Sequence, residues 1–390
     1  EIQNRWKRNL AYKSLAVPLG LRSAKDILFL NLHEKAHGPH GLVAGTTGSG
    51  KSELIQSYIL SLAVNFHPYE VGFLLIDYKG GGMADLFRTL PHHLGTITNL
   101  DGNGSMRTLA CVKAELSQRQ RIFRTFGVNH MNGYMKLFRA GKAAEPLPHL
   151  FIICDEFAEL KKEQPEFMKE LVSAARIGRS LGVHLILATQ KPAGIIEEQI
   201  WSNSQFKLCL KVQNESDSKE VLKTTDAAAI TLPGRAYLKV GSHETYELFQ
   251  SAFSGAAYRE AKGNNSAEDE RVYVVNELGQ GELVNQDLSG KEGEYETSQT
   301  QLEAVARHIR EVFEQEHTAK VRKPWLPPLK KMLVSQSLAK NVQGACEGGG
   351  SVIPKGKSEK SLSVAIGMLD IPQLKEQREL EHHFEKDGNL

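Results

Sequence analysis

Cysteine is scarce. The 390 residues hold 4, at Cys111, Cys154, Cys209 and Cys346, and their spacing fits neither a metal finger nor a disulfide framework. Cys154 lies inside an apolar run, so reduced thiols in a cytosolic setting are expected. No apolar run is long enough to cross a bilayer, and no signal peptide opens the chain. An excess of charge is also missing. With 48 basic against 46 acidic residues the net charge is +2, which argues against a broadly basic nucleic-acid binder and leaves room only for a local stripe. Four histidines (His37, His40, His92, His93) cluster in the sequence without ligand spacing and read as solvent or packing residues. Nothing suggests a Ser or Cys nucleophile. What remains, 41% hydrophobic and 24% charged, is an ordinary globular chain with room for one large domain plus extensions, or two domains. It opens on Glu1 rather than Met and stops at Asp387-Gly-Asn-Leu390, so it reads as a piece excised from something longer.

The informative stretch is His40 to Ser52. Gly45-Thr46-Thr47-Gly48-Ser49-Gly50-Lys51-Ser52 has two glycines four residues apart followed by Lys and Ser, the phosphate-loop pattern. Gly41 to Ala44 read as a short buried strand before it. Ser52 to Phe66 read as a helix after it, apolar at Leu54, Ile55, Tyr58, Ile59, Leu62 and Ala63. Glycine lets the backbone turn tightly, so N–H groups converge on phosphate oxygens, and the helix aims its positive end at the same point. Lys51 is placed to reach the β- and γ-phosphates, and Ser52 to ligate Mg²⁺. A nucleoside triphosphate is the expected ligand.

Elsewhere, Ser14 to Leu21 and Asp26 to Leu32 look like edge strands. Val71 to Asp77 is a continuous apolar run suited to a central parallel strand, ending in the turn-rich Tyr78-Lys-Gly-Gly-Gly82. Gly104 to Phe126 has helical spacing, with Arg119, Arg121 and Arg124 read as a solvated face. His149 to Asp155 is a buried strand, Glu166 to Leu181 a helix, and His184 to Gln190 another strand. Phe206 to Val212, Ala236 to Val240, Tyr246 to Phe253 and Val272 to Asn276 follow as strands, and Gln301 to Gln315 as a helix. Such alternation implies an α/β fold with a mainly parallel central sheet flanked by helices. Polar Gly263 to Arg271 breaks the pattern, and from Trp325 a mobile connector is expected to run through the glycines of Glu347 to Ser351. Ser361-Leu-Ser-Val-Ala-Ile-Gly367 then echoes Ser14-Leu-Ala-Val-Pro-Leu-Gly20, the stretch that leads into the phosphate loop. A tandem array is inferred, cut after the first elements of its next member.

Asp155 and Glu156 end an apolar strand. An Asp there can hold the Mg²⁺ shell, and an adjacent Glu can orient and activate water. Gln190, ending its own strand, either senses the γ-phosphate or merely caps. Arg176 and Arg179 share a helix face and are either an arginine finger for a neighbouring protomer or an exposed pair. Asp77 faces the nucleotide or holds the turn after it.

GTTGSGKSE, DYKGGG, FIICDEFAEL, RIGRSLGVHLILATQKP and LPGRAYL together resemble the motor core of the FtsK/SpoIIIE family, RecA-like, ring-forming P-loop ATPases. DYKGGG with LPHHLGTITNLDG is most similar to its type VII secretion branch, the EssC/EccC ATPases. The resemblance implies ATP and Mg²⁺ as cofactors. It implies nucleotide contacts at Gly45 to Ser52, metal contacts through Ser52 and Asp155, Glu156 as the water-activating residue and Gln190 as sensor. It implies a finger at Arg176 or Arg179. It also implies export of small helical proteins on the cytoplasmic side of a membrane, with neighbouring modules, a ring of copies and other secretion components as partners. Double-stranded DNA translocation and a nucleotide-gated scaffold are the alternatives. The expected division is lead-in strands over 1–39, an ATPase core over 40–260, an extension over 261–323, a connector over 324–361 and the start of a following module over 362–390.

Overall fold

A computed structural model of the chain describes residues 1–77, 82–83, 85–98, 102–196, 198–241, 244–258, 273–275, 281–283, 299–316, 321–329 and 363–383. The turn at 78–81, the polar stretch 259–272, the glycine-rich part of the expected connector and Cys346 lie outside them.

The chain opens with helix α1 (Ile2–Arg8), strands β1 (Ala16–Ser23), β2 (Asp26–Asn31) and β3 (Gly41–Ala44), then α2 (Lys51–Asn65). Next come β4 (Val71–Asp77), β5 (His93–Thr98), α3 (Gly102–Thr125), α4 (Met131–Arg139), β6 (His149–Asp155), α5 (Phe157–Glu163) and α6 (Pro165–Gly178). They are followed by β7 (Val183–Thr189), α7 (Glu198–Asn203), β8 (Phe206–Leu210), α8 (Glu215–Leu222), β9 (Arg235–Val240) and β10 (Thr245–Ser251). A short pair, β11 (Tyr273–Val275) and β12 (Gly281–Leu283), precedes α9 (Gln301–Gln315), and the chain closes on β13 (Ser363–Ile371) and β14 (Glu376–His383).

The first ten strands form one sheet in the order β2-β1-β10-β9-β8-β3-β7-β6-β4-β5. From β8 to β5 neighbouring strands run parallel. From β8 to β2 they run antiparallel. Burial explains the split. β3, β4 and β7 are buried at every position and so tolerate helices on both faces. β9 alternates buried and half-buried residues, the signature of a sheet half with one covered face.

Two expectations are corrected here. Of β1 and β2, β2 alone is at the edge; β1 lies inside it, because β10 pairs along its other side. β4 is not central but second from the opposite edge, between β6 and β5. Its apolar run reflects burial on both faces, not a place in the middle.

Two apolar layers hold the sheet. One packs α1, α2 and α9 on one face through Trp6, Leu54, Ile55, Ile59, Leu62 and Ile309. The other packs α3, α4, α5 and α6 on the opposite face through Leu109, Val112, Leu116, Tyr134, Leu160 and Leu171. Each fully buried aliphatic side chain of α2 contributes about 1.5–3 kcal/mol by leaving water. That anchors the helix whose first turn carries the phosphate loop's lysine. Trp325 packs against the second layer and covers Gly95 of β5, where a Cβ would come within 3.0 Å of its ring nitrogen.

Arg119 departs from its sequence reading. Arg121 and Arg124 are exposed, but Arg119 is 1% exposed. Its Nε donates to Glu115 at 2.8 Å, and its Nη atoms donate to the carbonyls of Leu181 and Pro148, each at 2.8 Å. A buried guanidinium is tolerated because its donors are used on three sides.

Candidate functional site

At the carboxyl end of β3 the chain turns through Gly45 to Gly50 into α2. Gly48 and Gly50 have φ of 77° and 90°, a region that disfavours any side chain. At Gly45 a Cβ would lie 2.6 Å from Ser49 Oγ, so the loop closes only on glycine. Neighbouring strands hold it from outside. Gly45 N–H donates to the carbonyl of Thr189 at 3.2 Å, and Thr46 N–H to that of Lys211 at 2.9 Å. Gly234 N–H donates to the carbonyl of Ser49 at 2.8 Å.

The loop fits a phosphate chain. No side chain caps the N-terminus of α2, so its first N–H groups are left to a ligand. Among the described residues Ser49 Oγ is buried without a hydrogen-bond partner, and Lys51 is 4% exposed. The Lys51 ammonium contacts Oδ1 of Asp155, which ends β6 two strands away. Ser52 follows Lys51 in the first turn of α2; its hydroxyl and the Asp155 carboxylate are the donor types expected for Mg²⁺.

Glu156 is 4% exposed and caps α5 with φ of 55°, a left-handed conformation that costs of order 1–3 kcal/mol in a non-glycine residue. Its carboxylate accepts from Thr189 Oγ1 and from the Gln190 N–H, each at 3.3 Å. The strained turn thus delivers the carboxyl to the end of β7 rather than to solvent. Gln190 reaches the loop directly, its Oε1 accepting from Thr47 Oγ1 at 3.1 Å. Asp77 lies level with Asp155 in the β4–β6 register and is 3% exposed.

The structure therefore gathers Gly45 to Ser52, Asp155, Glu156 and Gln190 at the carboxyl ends of the parallel strands β3, β6 and β7. It does not bring Arg176 or Arg179 there. Both are exposed, Arg176 in the last turn of α6 and Arg179 just past it. α6 ends beside Val183, the first residue of β7, whereas Gln190 follows the last. The strand's length sets the arginines roughly 20 Å from their own chain's loop. Arg179 neighbours His40 instead, and burial, with that charge second, holds His40 down at about 4.

The clustered histidines pack. His92 is fully buried with its Nε2 at 2.7 Å from the Phe66 carbonyl, and His37 Nδ1 accepts from Asn31 N–H at 3.2 Å. No metal-binding group of three or more ligands occurs among the described residues. The described cysteines, Cys111, Cys154 and Cys209, are buried free thiols.

Two contributors escaped sequence reading. Thr189, 0% exposed, ties Glu156 to β7 but looks like any strand-ending threonine. Gly234, with φ of 74°, clamps the loop; the Pro233-Gly234 pair announced a turn but not its contact.

Similarity to known proteins agrees with this geometry. Residues 1–194 match the model of the FtsK/SpoIIIE family. The type VII secretion system protein EssC of Staphylococcus aureus (strain Mu50 / ATCC 700699) is 57% identical over 393 residues, covering all of this chain and 26% of that protein. The ESX secretion system protein EccC of Geobacillus thermodenitrificans (strain NG80-2) is 53% identical over 392 residues, again all of this chain and 25% of that protein. The chain thus spans about a quarter of the length of these relatives. The cytoplasmic domain of the Thermomonospora curvata type VII secretion ATPase EccC superposes with a TM-score of 0.77 at 26% identity, covering 98% of this chain and 40% of that one. With its phosphate loop, strand-end carboxylates and full-length likeness to one stretch of EssC and EccC, the chain belongs to the FtsK/SpoIIIE family of ATPases.

Proposed function

We propose that this unit binds ATP with Mg²⁺, hydrolyses it, and couples the cycle to export of small helical proteins by a type VII secretion machine. The observation that carries this reading is the convergence of Lys51, Asp155 and Glu156 beside the phosphate loop at the carboxyl ends of the parallel strands. Bound Mg²⁺ would neutralise developing charge on the transferred phosphoryl group. Ser52 and Asp155 would hold that ion, and the amides from Gly48 to Ser52 would hold the β- and γ-phosphates. Lys51 would shift from Asp155 alone to the phosphate oxygens. Glu156, oriented by Thr189 and the Gln190 amide, would accept a proton from the attacking water, and Gln190 would report the γ-phosphate to the loop through Thr47.

The arginines lie too far from their own loop to act there, so a finger at Arg176 or Arg179 would serve a neighbouring copy. That supports a ring of copies, with the flanking modules and secretion components as further partners, at the cytoplasmic face of a membrane. Among the described residues no helix is long and apolar enough to cross one. The division expected from the sequence is retained as part of this proposal, with an ATPase core over 40–260 and a following module from 362.

The test is ATP turnover with and without duplex DNA, with Lys51→Ala as the blank. Slow turnover that DNA leaves unchanged supports the secretion reading. Strong, salt-sensitive stimulation by DNA overturns it in favour of a DNA translocase.

A further inference from the structure

The echo between the two ends of the chain is structural as well as sequential. β1 and β2 form an antiparallel hairpin whose register slips between Pro18 and Gly20. β13 and β14 form another, slipping between Ala365 and Gly367, the matching positions of the repeated pattern. At Gly20 the glycine is needed, since a Cβ would lie 2.1 Å from the carbonyl oxygen of Gln250 on β10. At Gly367 the same position meets no atom of the described residues within 4 Å. The second hairpin is therefore built like the first but is not part of the ten-stranded sheet.

A two-stranded hairpin alone is marginal in water, so its stability rests on what it touches. It sits on α3. The turn between its strands carries Lys375, with φ of 57°, and the Lys375 ammonium reaches both Glu115 and Gln118. Glu115 is 0% exposed and already accepts from Arg119. Arg322 grips both its oxygens, at 2.9 and 3.0 Å. Two turns earlier on the same helix, Arg107 donates to Asp370 of β13 at 2.6 Å and to the carbonyls of Leu326 and Pro327 at 2.9 and 3.2 Å. Gln377 of β14 completes that second point, donating to Pro327 at 2.7 Å and to Asp370 at 3.0 Å.

Exposed ion pairs contribute little, but this carboxylate is out of water, and three cations from three separate stretches converge on it. We propose that α3 presents a charge-keyed seat, centred on Glu115 and Arg107, that locks the hairpin β13–β14 onto this unit. The seat fixes the direction in which any following sheet leaves the ATPase core. Its partner is a β-hairpin with a cationic turn and an acid on its first strand. The proposal stands on α3, the hairpin and the stretch 321–329, and does not depend on nucleotide chemistry.

The experiment is amide hydrogen exchange on the whole chain, comparing the parent with Lys375→Met and Asp370→Asn. Both variants leave Glu115 paired to Arg119 and Arg322, so the core keeps its fold. Amides of 363–383 should be protected in the parent and exchange about tenfold or more faster in each variant, with β3, β4 and β7 unchanged. Hairpin amides that exchange at unstructured-peptide rates in the parent would overturn the seat. So would variants as protected as the parent, or a loss that spreads into β3 and β4.

Discussion

The ammonium of Lys51 rests on the carboxylate of Asp155, joining the first turn of α2 to the tip of β6 across β7. The contact holds the loop's charge at the place where phosphate and metal are expected.

Lys51→Ala should abolish that charge and weaken ATP binding by about a hundredfold or more, because a nearly buried cation facing the phosphates is lost. Titration with a fluorescent ATP analogue measures it. Unchanged affinity would remove Lys51 from the site.

Glu156→Gln should bind ATP at near-parental affinity and lower turnover by about 10²–10⁴-fold, the usual worth of a positioned base. Steady-state hydrolysis beside equilibrium binding separates the two effects. Parental turnover would mean that another group activates water.

Thr189→Val removes the hydroxyl that donates to Glu156 while keeping the strand's shape. Turnover should fall about tenfold with ATP affinity unchanged, since a net hydrogen bond to a charged group contributes about 1.5–3 kcal/mol. A thermal melt within a few degrees of the parent would show that the loss is positional.

Arg176→Ala and Arg179→Ala should leave folding and ATP binding intact, because both side chains are exposed. One of the two should lose turnover by about a thousandfold in the assembled parent protein. If both retain full turnover, the finger lies elsewhere.

Thermal stability should fall on acidification. Burial holds His92 and His184 at about 3 and His40 at about 4, all below the ordinary histidine value. A base depressed by folding is neutral in the native state and takes up its proton more readily when unfolded. Its contribution is complete above about pH 6.5 and is lost as pH falls through the folded values. The melting temperature should therefore be level from pH 8 to about 7 and decline toward pH 4. A rise on acidification would contradict these assignments.

What the sequence disclosed was local. The phosphate loop, the Asp155-Glu156 strand tip and the span of α9 each depend on residues close together in the chain, where periodicity and glycine spacing speak directly. What it hid was contact across the fold. Arg119 was read as solvated because helical spacing counts apolar residues. Its burial depends on Leu181 and Pro148, far along the chain, although Glu115 four residues earlier was a visible clue. β1 was read as an edge because β10, which pairs with it, comes much later. Gly234 was legible as a turn and illegible as a clamp for the same reason.

The pairing of β1 with β10 also sets a timetable. Gly20 meets Ser251 about 230 residues later in the chain, so at ribosomal speeds of roughly 5–20 residues per second β1 waits on the order of tens of seconds for its neighbour. Gly234, which grips the phosphate loop, emerges only shortly before. The phosphate loop is thus made well before Gly234, the residue whose N–H donates to its Ser49 carbonyl. Strand order therefore places the Gly234–Ser49 contact among the later ones this sheet can form during synthesis.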